Sequence, residues 1–193
     1  DQADPDFGGG KVPSIEEAAG QLGALIIKVR GQVCRDEQMA EKDFRVWLVA
    51  HSMGGLVVRC FLQNLAKGSA EARACVDKVF TFATPHNGIE MAGINVPGFF
   101  ALWDMNNFNR DRMRKYLAIS KPEIPVHSLD GKFPPQRFFC LVGTNSKDYA
   151  VAGGASRLMA GELSDGLVRI ANAYVDDSPR AHIYRSHSGH FGI

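Results

Sequence analysis

The sequence predicts an α/β fold in which a mainly parallel sheet is flanked by helices. Short apolar runs of strand type alternate along the 193 residues with segments whose apolar side chains recur at helical spacing. The run at 76–84 is apolar on both faces, which is typical of a central strand in a parallel sheet. Strands that alternate with helices indicate a parallel arrangement. The length suits a single domain, 1–193, with a buried core.

The first predicted helix follows a loop over residues 1–13 that contains three consecutive glycines. Ser14 and Glu17 form the pattern of a capping box, in which each side chain accepts the other residue's backbone N–H. The helix is expected to end near Arg30, with Gly31 as its stop. Its buried stripe is predicted to contain Ile15, Ala18, Ala19, Leu22, Leu25, Ile26 and Val29.

The segment 44–65 joins a strand-type run at 46–50 directly to a helical pattern that starts after Ser52. A turn this sharp places the serine in a strained backbone conformation, with its hydroxyl exposed at the end of the sheet. Ala50 and Gly54 are small, which lets strand and helix approach each other. The backbone N–H of Met53, at the helix N-terminus, is predicted to point at a developing oxyanion.

Four motifs make the chain resemble the α/β-hydrolase superfamily, and more narrowly its lipase and esterase branch of serine hydrolases. They are the A-H-S-M-G elbow at 50–54, T-P-H-N-G at 84–88, S-D-G-L-V from Ser164 and H-S-G-H-F-G-I from His187. The elbow departs from the family pattern, because alanine stands where that pattern has glycine. The resemblance implies the α/β-hydrolase fold. We expect this chain to lack that fold's first strands and last helix, so that the domain is incomplete at both ends.

The resemblance also implies a Ser-His-Asp triad in the chain order serine, acid, histidine. A serine hydroxyl needs a histidine base, and the base needs a carboxylate that fixes its tautomer. The acid should follow the strand predicted at 137–143, where S-D-G-L-V makes Asp165 the favoured residue. Asp148 lies nearer that strand and is the alternative. Asp176, in a polar stretch, is interpreted as solvated.

The base should follow the last predicted strand, at 180–185, and both His187 and His190 do so. His187 is favoured because it fits the H-S-G-x-F-G-I form and is the first histidine after the strand. His190 fits the G-H pattern of many hydrolases and stays open as the base. His86 precedes the acid in the chain, so we interpret it as a residue that holds its loop by hydrogen bonds.

Residues 91–124 are predicted to form a cap or lid insertion, because enzymes of this branch commonly insert one after the corresponding strand. Two interpretations stay open: the aromatic side chains bind acyl groups above the serine, or they pack the insertion onto the body. A basic run over 110–115 follows the apolar residues of this segment, which are Phe99, Phe100, Leu102, Trp103, Met105 and Phe108.

Composition excludes several other classes of function. A formal net charge of +1 gives no basis for a nucleic-acid partner. No apolar run reaches transmembrane length and no signal peptide opens the chain. The four cysteines lack metal-ligand spacing, so neither a metal site nor a cofactor is predicted, although Cys34 and Cys75 can pair. Compartment and oligomeric state are left open.

These patterns predict a serine hydrolase that cleaves carboxylic, lipid-like esters through an acyl-enzyme. Its expected partners are a small-molecule or lipid ester and, transiently, a membrane or lipid interface. The same triad would serve an acyltransferase, a thioesterase or an amidase. A non-catalytic, hydrolase-like binding protein is the other alternative. The family's second oxyanion N–H comes from a loop after an earlier strand, and residues 1–43 contain no matching segment.

Overall fold

The computed structural model describes residues 13–89, 105–143, 168 and 170–183. Its centre is a four-stranded, fully parallel sheet in the order β1-β2-β3-β4. The carboxyl ends of all four strands therefore lie at one edge of the sheet. The predicted fold class, a parallel sheet flanked by helices, is confirmed. The strands are β1 (Val46–His51), β2 (Val76–Phe82), β3 (Phe138–Gly143) and β4 (Arg180–Ile183).

Within the described ranges the α-helices are α1 (Ile15–Asp36), α2 (Met53–Gln63), α3 (Ala70–Ala74) and α4 (Arg110–Tyr116). Helices α1 and α2 pack against each other, and α2 also contacts β1. Short 3₁₀ turns occur at Glu41–Asp43, Met105–Phe108, Pro135–Arg137 and Ile170–Asn172. None of the helices in this part of the chain combines the length and the apolar character needed to cross a membrane.

Helix α1 begins as predicted but is longer. Ser14 accepts the Glu17 N–H at 3.1 Å and donates its own N–H to the Glu17 carboxylate at 2.8 Å, so the capping box is formed. The prediction that Gly31 stops the helix is wrong, because the helix continues to Asp36. The additional turn is anchored by Cys34, whose side chain is buried. Arg30 lies one turn earlier and forms ion pairs on both sides, with Glu41 and Glu71.

The two faces of the sheet differ in burial. One face is buried in the core through Leu48, Val79 and Phe138, which are neighbours in the strand register. On the other face Trp47 is 58 % exposed and Val49 is 71 % exposed. A shallow apolar pocket lies on this open face, lined by Phe80, Phe139, Cys140, Leu141, Pro179, Arg180 and Ala181.

Three strand boundaries differ slightly from the predicted ones. β1 continues to His51, one residue beyond the predicted run at 46–50. β2 ends at Phe82 rather than at Thr84, because Ala83 adopts a φ of 49° and turns the chain. β3 starts at Phe138, since Arg137 still belongs to a 3₁₀ turn. β4 is described as far as Ile183, and the last two residues predicted for it lie outside the described ranges.

The predicted insertion at 91–124 is described only from residue 105 onwards. This part contains α4, which the sequence patterns did not indicate. It is packed onto the body of the domain, because Phe108, Met113, Tyr116 and Leu117 are all buried. The backbone oxygen of Tyr116 also accepts hydrogen bonds from side chains on and just after α2. The function of the segment as a cap stays a prediction.

All four cysteine side chains are buried free thiols. Cys60 on α2 and Cys140 on β3 pack as small apolar groups. Burial raises the pKa of the Cys60 thiol to about 12, so this sulfur is protonated at neutral pH. Cys34 and Cys75 are not joined by a disulfide.

Candidate active site

Ser52 lies between the last residue of β1 and the first residue of α2, with φ 51° and ψ −126°. A positive φ at a non-glycine residue carries strain of about 1–3 kcal/mol and persists only where surrounding contacts impose it. Here the Ser52 N–H donates to the Phe82 carbonyl of β2 at 2.8 Å. The strained turn predicted at this serine is therefore present.

The loop after β2 encloses this turn. The Thr84 hydroxyl donates to the Ser52 carbonyl at 2.8 Å, and the Gly55 N–H donates to the same oxygen at 3.1 Å. Ser52 as a whole is only 3 % exposed. The prediction of an exposed serine is thus wrong for the residue as a whole, because the loop packs directly against it.

The glycine on which this packing depends is Gly55 rather than Gly54. A Cβ on Gly54 would lie 3.7 Å from the Ala50 Cβ, an ordinary van der Waals contact. A Cβ on Gly55 would lie 2.2 Å from the Thr84 hydroxyl oxygen, a steric clash. The small residues predicted from the sequence, Ala50 and Gly54, lie two positions from the serine, whereas Gly55 lies three positions after it and was not predicted. The second glycine of M-G-G was the only sequence signal for it.

Met53 is the first residue of α2, so its N–H belongs to the orphan donors of a helix N-terminus. These donors face the edge of the sheet where the strands end. An anion or an oxyanion is favoured at such a position. The geometry suits the predicted oxyanion contact, and that contact itself stays a prediction.

The predicted acid and base residues, Asp165, Asp148, His187 and His190, lie outside the described residues. The topology nevertheless determines where the chain leaves the sheet before the two acid candidates and before the two base candidates. β3 and β4 run parallel to β1, so they end at the same edge as Ser52. The segments that carry the acid and base candidates start from that edge.

His86 is fully buried, and its Nε2 lies 2.9 Å from the Thr81 hydroxyl oxygen. Its ring also packs edge-on against Phe138 at a centroid distance of 5.4 Å. Burial, with smaller contributions from the charges of Arg59 and His127, holds the pKa of His86 well below its ordinary value of 6.5. These contacts direct the ring into the core beneath the loop, in agreement with the predicted structural role.

Arg59 joins α2 to two loops, although it is completely buried. Its guanidinium donates to the carbonyls of His86 at 2.8 Å, Val126 at 2.7 Å and Ser128 at 2.8 Å. Its Nε donates to the Gln63 side chain at 2.9 Å. Burial lowers the pKa of Arg59 to about 10, so the group remains a cation at neutral pH.

A histidine–aspartate pair that the sequence analysis missed lies in the same region. His127 Nε2 lies 2.8 Å from the Asp176 carboxylate, so the interpretation of Asp176 as merely solvated is wrong. The Asp176 N–H also donates to the His127 carbonyl at 3.1 Å. Asp176 lies four residues before β4, and its partner His127 is near enough to His86 for its charge to contribute to the lowered pKa of that histidine.

The burial of His86 predicts a pH-dependent stability. Because the pKa is lower in the folded state, the unfolded state binds the proton more readily below pH 6.5, and stability falls as the pH decreases from that value. The loss is at most about 1.4 kcal/mol per pH unit. Urea unfolding at several pH values between 7.5 and 5 should show a shallower dependence for His86→Gln. An identical dependence in both proteins would contradict this account.

Within the ranges that the structure describes, no group of three or more His, Cys, Asp or Glu side chains is placed to hold a metal ion. Around Ser52 the structure describes hydrogen bonds made by its own N–H, by the Gly55 N–H and by the Thr84 hydroxyl, and all three hold the backbone of the turn.

Comparison with known proteins supports the fold. A crystal structure of the Bacillus licheniformis lipase BlEst2 in its mature form is similar to this chain, with a TM-score of 0.61 and 19 % sequence identity. The likeness covers 93 % of this chain and 70 % of the lipase chain. No protein-family model and no curated protein sequence matches. At this identity the similarity concerns the fold alone, and the protein has an α/β-hydrolase-like fold.

Proposed function

We propose that this protein is a serine hydrolase that cleaves carboxylic, lipid-like esters, with Ser52 as its nucleophile. The observation that supports this most strongly is the backbone of Ser52, with φ 51° and ψ −126° between a parallel strand and a helix N-terminus. Strain of this kind is characteristic of functional sites, where surrounding contacts maintain it. The likeness to a lipase structure adds support at the level of the fold.

In the proposed reaction the Ser52 Oγ attacks the acyl carbon of the ester while His187 accepts the hydroxyl proton. The tetrahedral oxyanion is stabilised by the Met53 N–H. Asp165 orients the imidazole and stabilises its charged form. The imidazolium then protonates the leaving alcohol, and water releases the acid in a second round of the same steps. His190 is the alternative base.

The lipid-like substrate class rests on the resemblance of the motifs to lipases and on the lipase that shares the fold. Transient contact with a lipid interface is part of the same proposal. An acyltransferase, a thioesterase or an amidase would use an identical triad, because the pocket determines the acceptor and the leaving group. Product analysis in the presence of competing alcohols or thiols separates these activities, since a hydrolase transfers the acyl group to water.

The decisive experiment is labelling with a fluorophosphonate, followed by mass mapping of the modified peptide. We expect stoichiometric modification of Ser52 and none in Ser52→Ala. Ser69→Ala is a suitable control, because that hydroxyl caps α3 and should leave labelling unchanged. Absence of labelling in the folded wild-type protein would contradict the proposal and would favour a hydrolase-like binding protein.

A further inference from the structure

We propose that Thr84 is a positioning residue for the nucleophile and that its hydroxyl sets the direction of the oxyanion donor. The proposal rests on the proposed function of Ser52. Thr84 is 1 % exposed, and its Oγ1 donates to the Ser52 carbonyl at 2.8 Å. It belongs to the loop after β2, so it acts on Ser52 from a neighbouring strand rather than from the elbow itself.

One planar peptide unit links the Thr84 contact to the oxyanion donor. The Ser52 carbonyl and the Met53 N–H belong to the same trans peptide, so they point in opposite directions. A contact that fixes the carbonyl therefore also fixes the N–H. Thr84 holds the carbonyl on one side, which directs the proposed oxyanion donor to the other side.

The same contact maintains the strained conformation of Ser52. Among the residues that the structure describes, three hydrogen bonds hold its backbone groups: the N–H to Phe82 at 2.8 Å, and the carbonyl to Thr84 at 2.8 Å and Gly55 at 3.1 Å. Of these three partners, only Thr84 uses a side chain. A substitution at Thr84 can therefore remove this one hydrogen bond without changing any other backbone contact. Once the bond is lost, the turn is free to relax towards an unstrained φ at Ser52.

The close fit between loop and helix specifies a threonine at this position. A Cβ on Gly55 would lie 2.2 Å from Thr84 Oγ1 and 2.6 Å from Thr84 Cγ2. Both branches of the side chain thus lie against the first turn of α2, one for the hydrogen bond and one for packing. This predicts that hydroxyl and methyl group have separable effects, the first on reactivity and the second on stability.

The test compares the wild-type protein with Thr84→Val, which keeps the shape and removes the hydroxyl, and Thr84→Ser, which keeps the hydroxyl. The readouts are the second-order rate of fluorophosphonate labelling, kcat and KM for a short-chain p-nitrophenyl ester, and Tm. We expect Thr84→Val to lower the labelling rate and kcat about 10- to 100-fold with little change in KM. Thr84→Ser should retain the rates within about threefold while its Tm falls, because the misplacement of reacting groups affects rates and lost packing affects stability.

Each other outcome has a definite meaning. A Thr84→Val protein that is labelled at the wild-type rate well below its Tm would overturn the positioning role and leave the function of Ser52 intact. Equal loss of rate in the Val and Ser variants would also overturn it, because packing would then be responsible. If Thr84→Val does not fold, the pair Thr84→Ala and Thr84→Ser, which differ only in the hydroxyl, gives the same comparison. An unlabelled wild-type protein would overturn the nucleophile assignment and this proposal with it.

Discussion

Replacement of His187 by alanine is expected to lower ester hydrolysis by about 10⁴- to 10⁶-fold while the protein stays folded. Loss of a triad base removes the acceptor for the serine proton, and losses of this size are typical for such groups. The measurement is kcat/KM on an ester, with Tm as the check on folding. Fluorophosphonate labelling should slow in parallel, because it depends on the same activated serine.

The chain length between β4 and the elbow allows either histidine to act. β4 is the third strand from β1, so the two strands lie about 14 Å apart at roughly 4.8 Å per strand. His187 is the fourth residue after Ile183 and His190 is the seventh. An extended chain spans about 3.4 Å per residue, so four residues span about 13.6 Å and seven residues about 24 Å. His190 can therefore reach the elbow easily, and His187 can reach it with the added length of its side chain. The choice of His187 rests on its motif and on its earlier position.

His190→Ala is the matched control for this prediction. It should retain activity within about tenfold, as expected for a neighbour that shapes the loop but transfers no proton. The reverse result, with His190→Ala inactive and His187→Ala active, would assign the base to His190. Asp165→Asn should lower kcat by about 10⁴-fold, because an amide favours the wrong imidazole tautomer. Asp148→Asn should leave kcat near the wild-type value.

The local features of the fold could be predicted from the sequence because they depend on neighbouring residues. The capping box at Ser14 and the turn at Ser52 are specified within a few positions, and the apolar run of β2 indicates a buried strand without further context. The end of α1 was predicted wrongly at Gly31, because tertiary contacts favour a helix that continues past this glycine. Arg30 bonds to side chains on two other segments, and no local pattern contains that information.

The contacts around the candidate site were not predicted either, because they join residues that are far apart in the chain. Gly55 and Thr84 are 29 positions apart in the chain, and their fit exists only once β2 lies beside β1. His127 and Asp176 meet across 49 positions, so each appeared in the sequence as an ordinary polar residue in a turn-rich segment. The proposed triad of Ser52, Asp165 and His187 comes from motifs and stays a prediction, whereas the contacts that hold the elbow required the assembled sheet.

Arg59 is a position at which a single substitution should strongly destabilise the fold. Arg59→Met is expected to lower the free energy of unfolding by about 3 kcal/mol or more. The substitution removes the guanidinium from the carbonyls of two buried residues, His86 and Val126. It also removes it from the Ser128 carbonyl, which still accepts from Gln63 Nε2 at 3.1 Å. Each buried polar group that loses its partner costs about 1–3 kcal/mol, and methionine, although similar in volume, offers no donor.

Urea unfolding measures this effect, and Arg45→Met is the matched control. Arg45 also donates to two backbone carbonyls, those of Lys42 and Phe44, but its side chain is exposed, so water can replace the lost bonds. Its substitution should change stability by no more than about 0.5 kcal/mol. Arg59→Lys should also be destabilising, because an ammonium cannot reproduce the planar fork that reaches three carbonyls. Equal stabilities of Arg59→Met and Arg45→Met would show that the buried network contributes no more than a surface contact.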